Sequence, residues 1–253
     1  MRAVILAAGR GSRLGHLSDG RPKCLVELAG RTLLERQLAA LRRGGAEEIA
    51  VVRGYRAETI DVSGAANFTN ERWAETNLGM SLAAASSWLR EGPAIVSYGD
   101  IFYRAELVRK LIAAEGRLVV TYDRQWRNLW TRRFDDPLAD AETFRVDGGG
   151  RLIEIGGRTA RIDEIEGQYM GLLKFTPEAW RAVEELLGEL EPAVRDRLDM
   201  TGLLARLLDR SLEIRTLGTD GQWGEIDSAS DLALYREMAR TGELMLEEVP
   251  DRR

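Results

Sequence analysis

The segment LAAGRGSRLG, from Leu6 to Gly15, with Arg21-Pro22-Lys23 close behind it, is the stretch best suited to holding a polyanion. Glycines straight after an apolar run let the backbone turn sharply and aim its N–H groups at anionic oxygens. Arg13 and Lys23 add positive charge where a triphosphate would collect it. Two other glycine-rich loops fit less well. The dinucleotide fingerprint asks for a third glycine where Leu14 stands, and a P-loop needs Lys followed by Ser or Thr after its second glycine. The competing reading is a tight turn with surface charges around it.

Two acidic positions add to the loop. Asp100 closes the run AIVSYG, and Asp227 sits in WGEID beside Glu225. Carboxylates at strand ends suit Mg2+, a hard cation that keeps several waters and bridges substrate phosphates. A strand-end aspartate also serves as a helix cap, and Asp227 stands before Ser228 in a position to do so. For one aspartate alone the cap is the better reading, but two such positions together with the loop favour a metal. The single cysteine, Cys24, excludes an intrachain disulfide and a Cys-based zinc site, and the single histidine, His16, excludes sites built from several imidazoles. His16 reads as a loop residue without catalytic duty.

These residues need a scaffold, and the alternation of apolar runs supplies one. Val4 to Ala7, Ile49 to Val52, Ala94 to Tyr98 and Leu118 to Tyr122 read as strands. Leucines at 33, 34, 38 and 41 keep helical spacing up to Gly44-Gly45, and helices are expected at Leu82–Leu89 and Leu107–Ala114. That rhythm predicts a parallel sheet covered on both faces. It changes after Tyr122: a charged, tryptophan-containing segment is followed by a hairpin (Thr143–Val146, a glycine turn, Leu152–Ile155). Beyond it come a strand near Tyr169–Phe175, helices near Pro177–Leu190 and Met200–Leu208, a strand at Leu212–Thr216 and a closing helix at Ser228–Arg240. The expectation is one domain, residues 1–253, with an insertion at 123–160 on the acceptor side.

With 253 residues, 44% of them hydrophobic and 30% charged, the chain can bury a sizeable core. A net charge of −5 argues against wholesale binding to nucleic acid or an acidic membrane. No run of about 20 apolar residues is present to span a bilayer, and the opening residues are interrupted too soon for a signal peptide. A cytoplasmic protein is expected.

LAAGRGSRLG followed by PKCLVELAGRTLLERQLAALRRGG resembles the start of the nucleoside-triphosphate transferase superfamily, the group of sugar-phosphate nucleotidyltransferases. The resemblance covers nearly the whole chain and is most specific in its N-terminal third. It implies an α/β fold with a Rossmann-like, mostly parallel mixed sheet, helices on both faces and a small insertion. It implies that Gly9, Gly11, Ser12, Arg13 and Lys23 hold a triphosphate, with Arg13 and Lys23 catalytic. Leu6, Ala7, Ala8, Tyr55 and Gly99 are expected near the nucleotide, and Asp100 and Asp227 hold Mg2+ with Glu225 as a further ligand. VVRGY at 51–55, ETNLGMSL at 75–82 and WGEID at 223–227 resemble the phosphocholine cytidylyltransferase branch. That implies CTP as the nucleotide, with Asn77, Met80 and Ser81 near it, and a small phosphorylated acceptor such as phosphocholine, aminoethylphosphonate or a phosphorylated amino acid. The acceptor's phosphate oxygen is anionic at neutral pH, so its in-line attack on the α-phosphate needs no general base, and positioning plus charge neutralisation suffice.

Trp126 and Trp130 stand four apart and share a helical face. They would wall an acceptor pocket and face a cationic headgroup, with Asp123, Asp140 or Glu142 as counter-charge; alternatively, and with more weight, they pack the insertion onto the sheet. Arginines in the same segment would suit an acceptor bearing a carboxylate. Two rivals stand beside this reading: a sugar-1-phosphate nucleotidyltransferase making a UDP-, dTDP- or GDP-sugar, which shares the loop and metal residues, and a catalytically silent nucleotide-binding regulatory subunit, whose relatives usually lose the metal aspartates or phosphate-binding cations retained here.

Overall fold

The computed structural model describes residues 1–18 and 20–249, without the side chains of residues 16–18, so the expectation for the His16 side chain lies outside the described residues. The chain runs β1 (Arg2–Ala7), β2 (Glu27–Leu28), β3 (Arg31–Thr32), α1 (Leu33–Gly44), β4 (Glu48–Arg53) and β5 (Ala66–Thr69). It continues through α2 (Leu78–Ala83), α3 (Ser86–Glu91), β6 (Ala94–Tyr98), β7 (Ile101–Tyr103), α4 (Ala105–Ala113) and β8 (Leu118–Asp123). Then come α5 (Trp126–Arg133), β9 (Phe144–Val146), β10 (Leu152–Ile155), β11 (Gln168–Phe175), α6 (Pro177–Glu189), α7 (Pro192–Asp196), α8 (Met200–Asp209), β12 (Arg215–Thr219), β13 (Trp223–Glu225) and α9 (Ala229–Thr241).

Seven strands form the central sheet in the order β12-β8-β11-β6-β1-β4-β5. Only β11 runs against its neighbours; the pairs β1–β4, β1–β6, β4–β5 and β8–β12 are parallel. The sheet is therefore mostly parallel and mixed, as expected. Alternation along β1 divides the core. Ala3, Ile5 and Ala7 pack with residues of α1, α4 and α9, whereas Val4 and Leu6 pack with residues of α3, α6 and α8. A strand buried on both faces has no polar face to show, which is why its sequence is a continuous apolar run.

Two expectations shift. The strand placed at Leu212–Thr216 begins three residues later, at Arg215. Ser211 takes φ 60° and the Leu212 N–H returns to the Leu207 carbonyl, so the chain is still closing α8 at the point where the apolar pattern suggested a strand. The helix expected at Leu82–Leu89 is two short helices, α2 and α3, separated at Ala84 and Ala85. Strands β2, β3, β5, β7 and β13 carried no signal that was read, being two to four residues long.

Between β8 and β11 the chain makes a long excursion through α5, β9 and β10. Its first half, α5, buries Trp126, Leu129 and Trp130 on the α1/α9 side, while the β9–β10 hairpin buries Phe144, Leu152 and Ile155 on the other. The excursion thus wraps the sheet edge at the end of β8, where α5 packs against α9 and β10 against α8.

Candidate active site

The loop after β1 is shaped around Lys23. Gly11 has φ +74°, and a Cβ there would come within 2.9 Å of the Lys23 Cβ, so glycine answers both a conformational and a steric demand. Pro22 leads into a single 3-10 turn, Lys23–Leu25, that aims the lysine inward. Gly99 does the equivalent job at the end of β6. A Cβ there would stand 2.6 Å from the Leu6 carbonyl oxygen, and its absence lets β6 pass close to β1 and deliver Asp100 to the loop. The Asp100 carbonyl in turn accepts from the Ile226 N–H at 3.0 Å, and β13 pairs antiparallel with β7, which brings Glu225 and Asp227 alongside.

Neither aspartate is used as a helix cap. Arg104 occupies the N-cap position of α4, and Ser228 caps α9 through a capping box with Asp231. Both carboxylates are instead turned to cations. The Lys23 ammonium bridges them, at 2.6 Å from Asp100 Oδ2 and in contact with Asp227 Oδ1, and Arg13 lies 3.1 Å from Asp227 Oδ2. Burial opposes the Lys23 charge, but Asp100, Asp227 and Glu225 outweigh it and hold its pKa above the ordinary lysine value. Burial also opposes the Asp227 charge, yet Lys23 and Arg13 keep that carboxyl below its usual range. Glu225 is pushed up, by burial first and then by Asp100 and Asp227, against the pull of Lys23 and Arg133.

Asp100, Glu225 and Asp227 each offer an oxygen within 4.8 Å of the others. Asp100 Oδ1 is buried and has no hydrogen-bond partner among the described residues. An oxygen-only donor set with one unsatisfied buried oxygen suits a hard divalent cation, and among the described residues no imidazole or thiolate joins it that would favour zinc.

Two cavities meet at this cluster. One, of about 260 Å³, is lined by Leu6, Ala7, Gly9, Gly11, Ser12, Arg13, Lys23, Gly99, Asp100 and Asp227, with Cys24, Leu78 and Tyr98. The other, of about 310 Å³, shares Arg13, Leu78, Tyr98 and Asp227 with it and extends past Glu225, Trp130, Asp140 and Glu142 to Arg158, Gln168 and Asp199. A site with two adjoining chambers and a charged cluster at their junction can hold two reactants at once.

Other expected residues, Trp130 apart, stand outside these linings. Tyr55 packs edge-on against Trp73 at 5.2 Å, and its N–H donates to the Ala8 carbonyl at 3.0 Å. Asn77 caps α2 through Leu78 N–H, and buried Ser81 accepts from Asn70 Nδ2 at 3.1 Å. Met80, in α2, is partly buried. Trp126 is 2% exposed; its Nε1 donates to the Ile165 carbonyl, and its ring meets Trp130 edge-on. Packing, the role given more weight, is where the structure puts it. Trp130 packs too and also forms cavity wall, with Nε1 donating to Asp140 Oδ2 at 3.0 Å. Asp123 is buried and accepts from Trp223 Nε1, Gln125 N–H and Gly221 N–H, so its charge serves the junction of β8 and β13.

Sequence reasoning missed Tyr98, Thr143, Arg158, Gln168, Tyr169, Asp199 and Thr201 in the second cavity. They come from four separate parts of the chain, and only the sheet order assembles them. Tyr98 was the one with a usable signal, standing two residues before Asp100.

Residues 3–201 match the profile of the MobA-like NTP transferase domain. A CTP:phosphoglutamine cytidylyltransferase of Campylobacter jejuni is 34% identical over 94% of this chain and 100% of its own length. A choline-phosphate cytidylyltransferase of Streptococcus pneumoniae is 31% identical over 60% of this chain and 67% of its own. Among solved structures, the inositol-1-phosphate CTP transferase from T. maritima superposes with a TM-score of 0.75 at 20% identity, covering 96% of both chains. At that identity the likeness speaks for the fold.

Proposed function

The chain belongs to the MobA-like NTP transferase domain family, and on that footing we propose that it transfers CMP from CTP to the phosphate or phosphonate of a small acceptor, releasing pyrophosphate. The observation that carries this reading is the meeting of two cavities at Lys23, Arg13, Asp100 and Asp227. The glycine-loop chamber takes the nucleotide. The chamber beyond Glu225 takes the acceptor, with the 123–160 insertion forming much of its wall within a single nucleotidyltransferase unit. The similarity of the chain to cytidylyltransferases along most of its length supports CTP over other nucleotides.

In this reading Arg13 and Lys23 neutralise the triphosphate and hold the α-phosphate at the junction, facing the acceptor. The acceptor oxygen attacks in line while pyrophosphate leaves toward the loop N–H groups. Asp100 and Asp227, with Glu225, would hold Mg2+, which supplies charge neutralisation on the phosphates as negative charge builds. Among the described residues, no helix is long and apolar enough to cross a membrane, and nothing in the reading needs one.

The test is pyrophosphate release across a grid of CTP, UTP, dTTP, ATP and GTP, with and without Mg2+. Each is paired with phosphocholine, aminoethylphosphonate, phosphorylated amino acids and sugar-1-phosphates. Turnover with CTP and a small non-sugar acceptor is expected. Turnover confined to sugar phosphates would overturn the acceptor class, and turnover undiminished by chelation would remove the metal.

A further inference from the structure

The second cavity carries more charge than phosphate chemistry requires. Apart from Arg13, Glu225 and Asp227 at the junction, it is lined by three carboxylates, Asp140, Glu142 and Asp199, and by the guanidinium of Arg158. None of these four side chains makes an ion pair among the described residues. Charges of both signs therefore face one space without a direct ion pair, although Arg158 pulls on the half-buried Glu142 carboxylate through space, and Arg158 and Asp199 are themselves exposed and free to turn to a ligand.

The local bonding shows which groups the fold has already committed. Asp140 Oδ2 accepts from Trp130 Nε1, and Asp199 Oδ1 caps α8 through the Gly202 N–H at 2.8 Å. Burial, before the charges of Asp199 and Asp140, pushes the Glu142 carboxyl up, against the pull of Thr201 and Arg158. Yet Glu142 is held in place. Gln168, 5% exposed, accepts from the Glu142 N–H at 3.2 Å and donates to its carbonyl at 2.7 Å. Arg158 commits Nη1 to the carbonyls of Ala139, Asp140 and Ala141, and its Nε and Nη2 make no hydrogen bond among the described residues.

Resting on the cytidylyl-transfer reading above, we propose that the acceptor is a phosphorylated amino acid, its ammonium received by Glu142 and its carboxylate by Arg158. A purely cationic headgroup leaves the guanidinium without a partner. A purely anionic acceptor meets three carboxylates. A quaternary ammonium offers Glu142 no N–H to bond. The zwitterion satisfies both signs and leaves its phosphate for the Arg13–Asp227 junction.

Three acceptors that differ only in these groups test it: O-phosphoserine, phosphoethanolamine, which lacks the carboxylate, and 3-(phosphonooxy)propanoate, which lacks the amine. With CTP and Mg2+, kcat/KM for O-phosphoserine is expected to exceed each of the others by about tenfold or more, the scale of a charge-assisted hydrogen bond. In Glu142→Gln the preference for O-phosphoserine over 3-(phosphonooxy)propanoate falls about tenfold. In Arg158→Gln the preference over phosphoethanolamine falls likewise. Each ratio compares two acceptors on the same folded variant, so a general loss of structure cancels. Equal rates for the three acceptors, or ratios that neither substitution moves, overturn the proposal. Calorimetry with CTP and Mg2+ separates the two levels: nucleotide binding without turnover of any of the three sinks the amino-acid acceptor alone, and absence of nucleotide binding sinks the cytidylyl-transfer reading beneath it.

Discussion

Lys23 stands between Asp100 and Asp227 and keeps two carboxylates together that would otherwise repel. Its removal affects both catalysis and the order of the acids. Lys23→Ala is expected to lower kcat about 10²- to 10³-fold, the usual effect of deleting one preorganised charge at a transition state. Asp100→Ala and Asp227→Ala are expected to abolish measurable pyrophosphate release while circular dichroism shows the fold retained. Turnover surviving in both would remove the metal assignment. Next to Lys23, the Cys24 thiol is 2% exposed and burial pushes it up to about 12. At pH 8 only about one thiol in 10⁴ is then ionised, so a disulfide reagent should react with the native protein far more slowly than with the unfolded chain. The sign of the linkage follows: the stabilising preference for the protonated thiol is full below the unfolded value near 9 and is lost as pH rises through the folded one. Rapid native labelling at pH 8 would show that the loop opens readily.

At the scale of elements, the start of α9 ties the acids to the excursion that walls the second cavity. Asp231 accepts from the N–H groups of Asp227 and Ser228, and its carboxylate pairs at 2.9 Å with Arg133 of α5. The two side chains are 4% and 1% exposed. Breaking a pair this deeply buried from one side leaves Arg133 with its longer 3.7 Å contact to Glu225 and little water, so Asp231→Ala is expected to lower the unfolding free energy by about 3 kcal/mol in urea titrations. By contrast, Thr32→Ala, which removes only a cap from α1, is expected to cost about 1 kcal/mol. Such links explain what could be read in advance and what could not. The meeting of the glycine loop with Lys23, Asp100 and Asp227 was legible because each lies at the end of an apolar strand or inside a short motif. Glu142 was noticed, but its clamp, Gln168, lies on the reversed strand β11 with no local signature. Arg133 looked like one more surface arginine in a charged segment, and nothing in its neighbours showed that Asp231 would meet it. The short strand β13 was invisible as a strand because pairing with β7, rather than its own pattern, makes it one.

For the whole molecule, the consequence of the sheet order is that the two chambers adjoin beside the ends of β1 and β6, with the excursion between β8 and β11 supplying wall to the second. The alternation of runs pointed to a parallel sheet covered on both faces, and the family resemblance to its mixed character; the placing of β11 between β6 and β8 followed from neither, since no local pattern encodes which strands become neighbours. Because the loop after β1, the end of β6 and the segment after β13 all line one chamber, the proposed nucleotide site, a ligand there should tighten the molecule as a unit. A nucleotide at about 100 times its dissociation constant adds about 2.7 kcal/mol to the folded state. For a domain of this size, each kcal/mol raises Tm by about 2–4 °C, so CTP with Mg2+ should raise it by roughly 5–11 °C in differential scanning fluorimetry. UTP and ATP should shift it less, and a chelator should remove most of the CTP effect, because Asp100, Glu225 and Asp227 repel the triphosphate when no cation lies between. An equal shift from every nucleotide would mean that the chamber reads the triphosphate alone, leaving the choice of base to the chemical step. A CTP shift that survives chelation would place the affinity in Arg13, Lys23 and the loop N–H groups, and confine the acidic cluster to catalysis.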